Sequence, residues 1–337
     1  MSHSAAVQPA PKAPLEVQDV KTPQPGPHEL LIKNELIALN PIDAKLAKLA
    51  LFPIEYPAIL GGSYGGKVAA IGSEVTNFKV SDTVAAAKAG GVSGNKYSSF
   101  QKYVVSRDVT TSKVPESVDL HIPAGLIGNF TTVVGLFTEH LRLERPDPVG
   151  KMSSKGKKIL VYGGTSSFGS FATQYATQAG YDVVTTTSPQ HRDFVAKLGA
   201  AYVVDHTQSH DAIVKELVAQ GPYDHVVDSI SLKPTYAITT EVVAAQGGGK
   251  VYGLLPPSDG IPKGVTAEFA SWGAPLAEEK NAELLQWAFG TYFTQAIAKD
   301  KIVALPSQKI NGGLGGLNEA VDVLFKGVSG VKVVVEL

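Results

Sequence analysis

Between residues 158 and 255 the chain keeps one rhythm. Short apolar runs of strand length, KILVY (158–162), YDVVTTT (181–187), AYVVD (201–205), HVVDS (225–229) and KVYGLL (250–255), alternate with stretches of helical spacing. In the first of these stretches Phe168, Phe171, Ala172, Tyr175, Ala176 and Ala179 fall on one helical face, and Gly180 supplies the stop. Strands that alternate with helices imply a parallel sheet with helices on both faces, because each parallel crossover needs a connection of helix length. The spacing therefore predicts a doubly wound α/β fold for this part of the chain.

The first junction of that series reads KILVYGGTSSFGS (158–170). A strand, a glycine-containing turn and a helix start in this order make a phosphate cradle. Backbone N–H groups at a helix N-terminus are unpaired and carry the positive end of the dipole. Gly163 and Gly164 permit the turn, and Gly169 lets helix and strand approach closely. The middle glycine of the usual dinucleotide fingerprint is absent. Thr165, Ser166 and Ser167 stand there, with hydroxyls able to bind phosphate, followed by Phe168. The alternative is a plain strand-to-helix turn. The second strand ends TTTSPQHR, without the carboxylate that binds the ribose 2′-hydroxyl of NAD. Ser188, His191 and Arg192 offer donors and positive charge for a 2′-phosphate instead, so NADP(H) is the expected cofactor. Ser188 followed by Pro189 also reads as a helix cap.

The rest of the chain differs in texture. The first third is β-rich and punctuated by glycine and proline, as in a small barrel or sandwich. MSHSAAVQPAPKAP reads as a flexible, proline-rich entry segment without a signal-peptide core. The stretch 119–143 is apolar enough for a buried helix, and the tail closes on the strand VKVVVEL (331–337). The expected domains are 1–118, 119–262 and 263–337, the last returning to the first. With 337 residues, 44% hydrophobic and 18% charged, a substantial core is expected. A net charge of −1 gives no reason to expect a nucleic-acid partner. No apolar run approaches the ~20 residues that span a bilayer, so a cytosolic protein with no membrane partner is expected. The chain has no cysteine, which rules out disulfides and thiolate zinc sites.

Several segments together resemble the medium-chain dehydrogenase/reductase family over nearly the whole chain. They are PGPHELLIKNELIALNPIDAKL, YPAILGGSYGGKVAAIGSEVTNFKVSDTV, LGAAYVVDH and GVSGVKVVVEL. GGSYGG stands where the zinc enzymes carry GHE, so the zinc-free branch fits, and YGGTSSFGS…GYDVVTTTSPQHRDFVAKLGA is similar to fungal enoyl-reductase-like proteins, including stand-alone partners of polyketide synthases. Ser63 and Ser81 depart from the family's usual Asp and Gly. The resemblance implies a Rossmann domain plus a GroES-like β-rich domain with a cleft between them, as a monomer or homodimer. It implies that Pro41, Asp43, Ala44 and Lys45 border the nicotinamide, that Thr165 to Phe168 touch pyrophosphate, and that His206 packs near the adenosine. Leu254 and Leu255 would contact the nicotinamide ribose, with Ser329, Val331 and Lys332 closing over the cofactor.

The expected reaction is hydride transfer from NADPH to the β-carbon of an α,β-unsaturated carbonyl compound, a small apolar molecule or a carrier-bound polyketide. The enolate needs electrostatic stabilisation and a nearby proton source. Lys45 is the first candidate, Thr131 and Thr132 could hold the carboxamide or the substrate carbonyl, and Tyr64 is a further donor. Each also has a bland reading, as a solvated lysine, helix back-bonding threonines and a core aromatic. Phe130, Phe269 and Trp272 either line an apolar slot for an extended or aromatic substrate or serve packing. Quinone reduction, and a non-redox protein that keeps NADPH as a ligand, are the alternatives.

Overall fold

The computed structural model describes residues 1–337 apart from Ala89, Lys151 and Ser258. The chain divides into two compact units, Met1–Phe130 with Leu276–Leu337, and Thr131–Pro275. In chain order, the first stretch holds strands β1 (Ser2–Gln8), β2 (Glu16–Lys21), β3 (Glu29–Ala38), β4 (Ala58–Ile59), β5 (Ser63–Ile71), β6 (Thr83–Ala87), β7 (Tyr103–Arg107) and β8 (Thr111–Lys113), with helix α1 (Pro41–Leu49) after β3 and α2 (His121–Val134) at its end. The second stretch alternates β9 (Lys158–Tyr162), α3 (Ser167–Gln178), β10 (Asp182–Thr187), α4 (Arg192–Lys197), β11 (Tyr202–Asp205), α5 (His210–Gln220), β12 (His225–Asp228), α6 (Lys233–Ala245), β13 (Gly249–Gly253) and β14 (Val265–Phe269). The tail adds α7 (Ala282–Gln286), α8 (Thr294–Ala298), β15 (Ser307–Ile310), α9 (Leu317–Lys326) and β16 (Lys332–Glu336).

The second unit is the doubly wound sheet. Its strand order is β11-β10-β9-β12-β13-β14, and every pairing is parallel. The order reverses at β9, so the turn after β9 lies at the topological switch point, where α/β folds bind ligands. Leu160, Val184, Val204, Val226 and Val251 carry the core of this sheet towards α5 and α6. The expected boundary at 262 moves to 275 because β14 pairs with β13 in register Gly249↔Val265 and so extends this sheet. The first boundary moves from 118 to 130, into α2.

The first unit is antiparallel apart from one parallel pair, β15 with β16. Its larger sheet runs β15-β16-β3-β5-β6-β8, with β7 also pairing β3. The closing strand β16 pairs β3 through Val334↔Ala38, which explains how the tail returns to the first third. The N-terminus corrects an expectation. It is no flexible segment: β1 lies between β2 and β4, and Ala5, Ala6 and Val7 are buried. His3 is also buried, with Nδ1 at 3.0 Å from Thr22 Oγ1 and Nε2 at 3.0 Å from Gln101 Oε1. Small residues let this strand sit under neighbours, and prolines enter only after it ends. No described helix is long and apolar enough to cross a membrane.

Candidate functional site

The phosphate-type loop is built as its glycines require. Gly163 has φ +92°, a backbone state that side chains rarely adopt. A Cβ on Gly169 would meet the Gly163 carbonyl oxygen at 2.2 Å, so only glycine lets α3 start this close to the strand. Gly163 N–H donates to Thr186 Oγ1 at 2.8 Å, and Gly164 N–H to the Thr186 carbonyl at 2.9 Å, which pins the turn to β10.

Ser166 takes a different part from the one expected of it. It is the N-cap of α3, and its Oγ accepts from Gly169 N–H at 2.8 Å. The same oxygen lies 2.9 Å from Ser229 Oγ, which donates to the Tyr162 carbonyl at 2.6 Å. The hydroxyl in place of the missing glycine therefore ties the loop to the end of β12 and uses one first-turn donor. The Phe168 N–H, one position earlier, has no partner within its helix by geometry. Thr165 and Ser167 are half-buried, and Thr187 Oγ1 donates to Thr165 Oγ1 at 3.4 Å. Helix-start N–H groups, hydroxyls and a turn too tight for a Cβ form a donor set that fits a diphosphate.

At the end of β10, Ser188 is half-buried and Arg192 exposed. Ser188 occupies the N-cap position of the single turn Pro189–His191, with Pro189 opening it as expected, and its side chain makes no cap hydrogen bond. His191 is half-buried and His206 exposed. Sequence reasoning overlooked Asp205, which pairs in register with Thr187 on the neighbouring strand. Hydrogen bonds from Thr207 N–H at 2.8 Å and Thr207 Oγ1 at 2.7 Å hold its carboxyl below the usual range, with His206 and Arg192 adding positive potential. The β11 register, not sequence spacing from the loop, brings this carboxylate beside the residues expected to meet the 2′-phosphate.

A second support was also missed. Asp228 Oδ1 accepts from the N–H groups of Ile230 at 3.0 Å and Ser231 at 2.7 Å, which holds Ser231 at φ +56°. Ser231 Oγ then accepts from Leu254 N–H at 2.7 Å, and Tyr236 Oη donates to the Leu255 carbonyl at 2.7 Å. The half-buried Leu254 and Leu255 thus sit on a fixed polar scaffold. The acidic residue after a strand and the following Ser were the available signal.

In the first unit, a charged cluster is buried around the start of α1. Asp43 Oδ2 accepts from Asn40 N–H at 2.7 Å, closing the helix N-terminus. Asn40 Oδ1 accepts from Lys332 Nζ at 2.6 Å and from Asn129 Nδ2 at 3.2 Å. Burial pushes the Asp43 carboxyl up to about 6, against the pull of the Asn40 N–H and the Lys332 and Lys88 charges. Burial pushes the Lys332 ammonium down to about 8, with Asp43 opposing. Lys45, on the same helix, is half-buried, and desolvation lowers its ammonium from the ordinary value. Pro41 is exposed, while Ala44 is packed in the core at 1% exposure.

The remaining candidates separate clearly. Tyr64 is enclosed by Leu30, Ile32, Val68 and Val104, and burial raises its phenol far above the usual range. It is a core aromatic, and a proton donor to substrate is not available there. Phe130 is fully buried with its ring 5.0–5.8 Å from those of Phe289, Tyr292 and Phe293, so it packs the first unit and lines no slot. Lys332 is buried and donates from Nζ to Asn40 Oδ1 inside that unit, while Ser329 is exposed and Val331 half-buried. Thr131 and Thr132 are half-buried, with Thr131 facing the backbone of Gly273. Phe269 and Trp272 do line one cleft of the second unit.

Two family models match: the alcohol dehydrogenase GroES-like domain over residues 26–116 and the zinc-binding dehydrogenase domain over 168–283. The trans-enoyl reductase himH of Aspergillus japonicus is 34% identical over 92% of this chain and 90% of its own. The trans-enoyl reductase tndF of Aspergillus flavipes is 30% identical over 99% of both. Among solved structures, an alcohol dehydrogenase superfamily protein from Novosphingobium aromaticivorans superposes with a TM-score of 0.79 at 20% identity over 99% of both chains. Mycobacterial Rv1454c complexed with NADPH gives 0.76 at 23% identity, over 99% of this chain and 100% of that one. With a GroES-like unit and a parallel Rossmann unit, the chain belongs to the medium-chain dehydrogenase/reductase family of oxidoreductases. The chain has no cysteine, and among the described residues no three His, Asp or Glu side chains gather as a metal site.

Proposed function

We propose that this protein is an NADPH-dependent, metal-independent reductase of α,β-unsaturated carbonyl compounds. The observation that carries the cofactor assignment is the end of β10, where Ser188 and Arg192 stand, no carboxylate closes the strand itself, and Asp205 on the neighbouring strand is bound to Thr207. The substrate class rests on relatives named trans-enoyl reductases that match along nearly the whole chain. A small unsaturated thioester or ketone, free or carrier-bound, fits that reading.

Thr165, Ser167 and the first-turn N–H of Phe168 would hold the diphosphate, while Ser166 and Ser229 keep the turn rigid. Ser188, His191 and Arg192 would meet the 2′-phosphate. Leu254 and Leu255, on their Asp228–Ser231 support, would position the ribose beside the reacting ring. Reduced nicotinamide, when bound, supplies a hydride for the β-carbon. The electron pair displaced from the double bond moves onto the carbonyl oxygen as an enolate, and protonation at the α-carbon completes the reduction. Lys45 is the proposed positive charge and proton source, since its desolvated ammonium releases a proton more readily than a solvated one. Thr131 is proposed to hold the carboxamide.

NADPH oxidation with a panel of enones and quinones tests the reading. Turnover with enones that exceeds turnover with quinones, and that falls at least ~tenfold in Lys45→Ala, is expected. Exchange of Ser188 for Asp and Arg192 for Ala should move preference towards NADH. Full enone turnover in Lys45→Ala removes the lysine, and tight NADPH binding without oxidation by any acceptor removes the reductase.

A further inference from the structure

A cleft of ≈ 600 Å³ opens along β14, lined entirely by residues of the second unit. This lies within the range of small-molecule sites. Phe269 and Trp272 line it together with the π-helical turn Gly135–His140 that continues α2 and packs on Trp272. Wide helical turns of this kind recur at functional sites. Trp272 and His140 line the cleft, and Tyr252 packs beside them to fix their rings. Trp272 Nε1 donates to the Gly253 carbonyl at 2.7 Å, the His140 ring lies 4.7 Å from the indole, and Tyr252 lies 5.5 and 6.0 Å from the two. Phe269 is 40% exposed, a large ring facing solvent.

The charges around the cleft are matched among themselves. Arg142 pairs with Glu139 at 2.6 Å, and Glu268 pairs with Lys250 at 2.6 Å and His140 at 3.7 Å. Their cations are largely exposed, so these pairs lie at the rim and hold little energy, and the aromatic faces set the character of the cleft between them. The ion-paired Glu268 also blunts the open edge of β14, which argues against another strand as the occupant. Within that charged rim the flat faces of Phe269 and Trp272 favour a planar, apolar group.

The inner end of the cleft adjoins the residues assigned to the reacting end of the cofactor. Trp272 is anchored to Gly253, directly before Leu254, and a Cβ on Gly273 would lie 3.1 Å from Thr131 Oγ1. Resting on the reductase reading, we infer that the cleft receives an uncharged aromatic or polyene group attached to the unsaturated carbonyl. The substrate is then an aryl or polyenyl enone or enoyl thioester rather than a short aliphatic one.

The chain has two tryptophans, so Trp287→Phe leaves Trp272 as the sole indole reporter in the full-length protein. Its emission is titrated, without cofactor, with 4-phenylbutan-2-one, 2-hexanone and 3-phenylpropionate. Saturable change with the aromatic ketone is expected, with at least ~tenfold weaker binding of the aliphatic ketone and of the anion, and ~fivefold or greater weakening by Phe269→Ala. The unsubstituted protein, followed by calorimetry with the same three compounds, gives the answer if Trp287→Phe does not fold. Equal affinity for the three compounds, or affinity untouched by Phe269→Ala, overturns the inference. Aromatic-selective binding without any NADPH oxidation upholds the cleft and removes the reductase reading instead.

Discussion

The loop after β9 and the cluster around Asn40 are both polar and both enclosed, yet they are stabilised in opposite ways. The loop uses neutral groups. Ser166, Ser229, Thr186 and backbone N–H groups satisfy one another at 2.6–2.9 Å without a formal charge. The cluster uses ions. Asp43 and Lys332 are each 3–4% exposed, and both are driven towards their neutral forms by burial. Removing one member of a neutral network costs about 1–3 kcal/mol, whereas removing one buried ion leaves its partner uncompensated and costs about 3–5 kcal/mol.

The sharpest test is Lys332→Met. It strips Asn40 of its ammonium donor and Asp43 of the larger of its two counter-charges, leaving Lys88, and a loss of about 3–5 kcal/mol is expected in urea or thermal unfolding. Adding Asp43→Leu should recover part of that loss. No recovery would mean that the two residues are not coupled through charge.

The pH dependence follows from the same pair. The Asp43 carboxyl is raised in the folded chain, so its stabilising share is complete below its unfolded value of 3.8 and gone above about 6. The Lys332 ammonium is lowered, so its share is complete above 10.5 and gone below about 8. The deficit of the natural chain against the Asp43→Leu/Lys332→Met double variant should therefore be greatest between pH 6 and 8 and shrink on either side, by roughly 1–3 kcal/mol. A deficit independent of pH would break the ionic description.

The smallest effect belongs to the loop. Ser166→Ala removes the cap on Gly169 N–H and the link to Ser229, and about 1 kcal/mol of stability should go with it. NADPH affinity should fall with little change in the binding of an aromatic ketone. A loss as large as that of Lys332→Met would erase the contrast between the two regions.

The same contrast explains what the sequence disclosed. The doubly wound unit and its glycine turn were legible because strand, turn and helix start are contiguous, and Gly163 and Gly169 answer local geometry. The Asn40 cluster assembles residues 40, 43, 129 and 332, and no window of sequence holds them together. Asp205 was hidden for a related reason, since only the register of β10 with β11 brings it near Arg192. Tyr64 and Phe130 were misplaced because an aromatic in a short strand or helix reads alike as wall or core until its neighbours are known. β14 was assigned to the wrong unit because parallel pairing leaves no mark in a five-residue run.

The first eight residues have a practical consequence for anyone preparing this protein. His3 grips Thr22 and Gln101, and the strand around it serves two neighbours at once. Removing that strand to shorten an expressed form would uncover β2 and β4 together and invite clumping, so β1 is best kept whole.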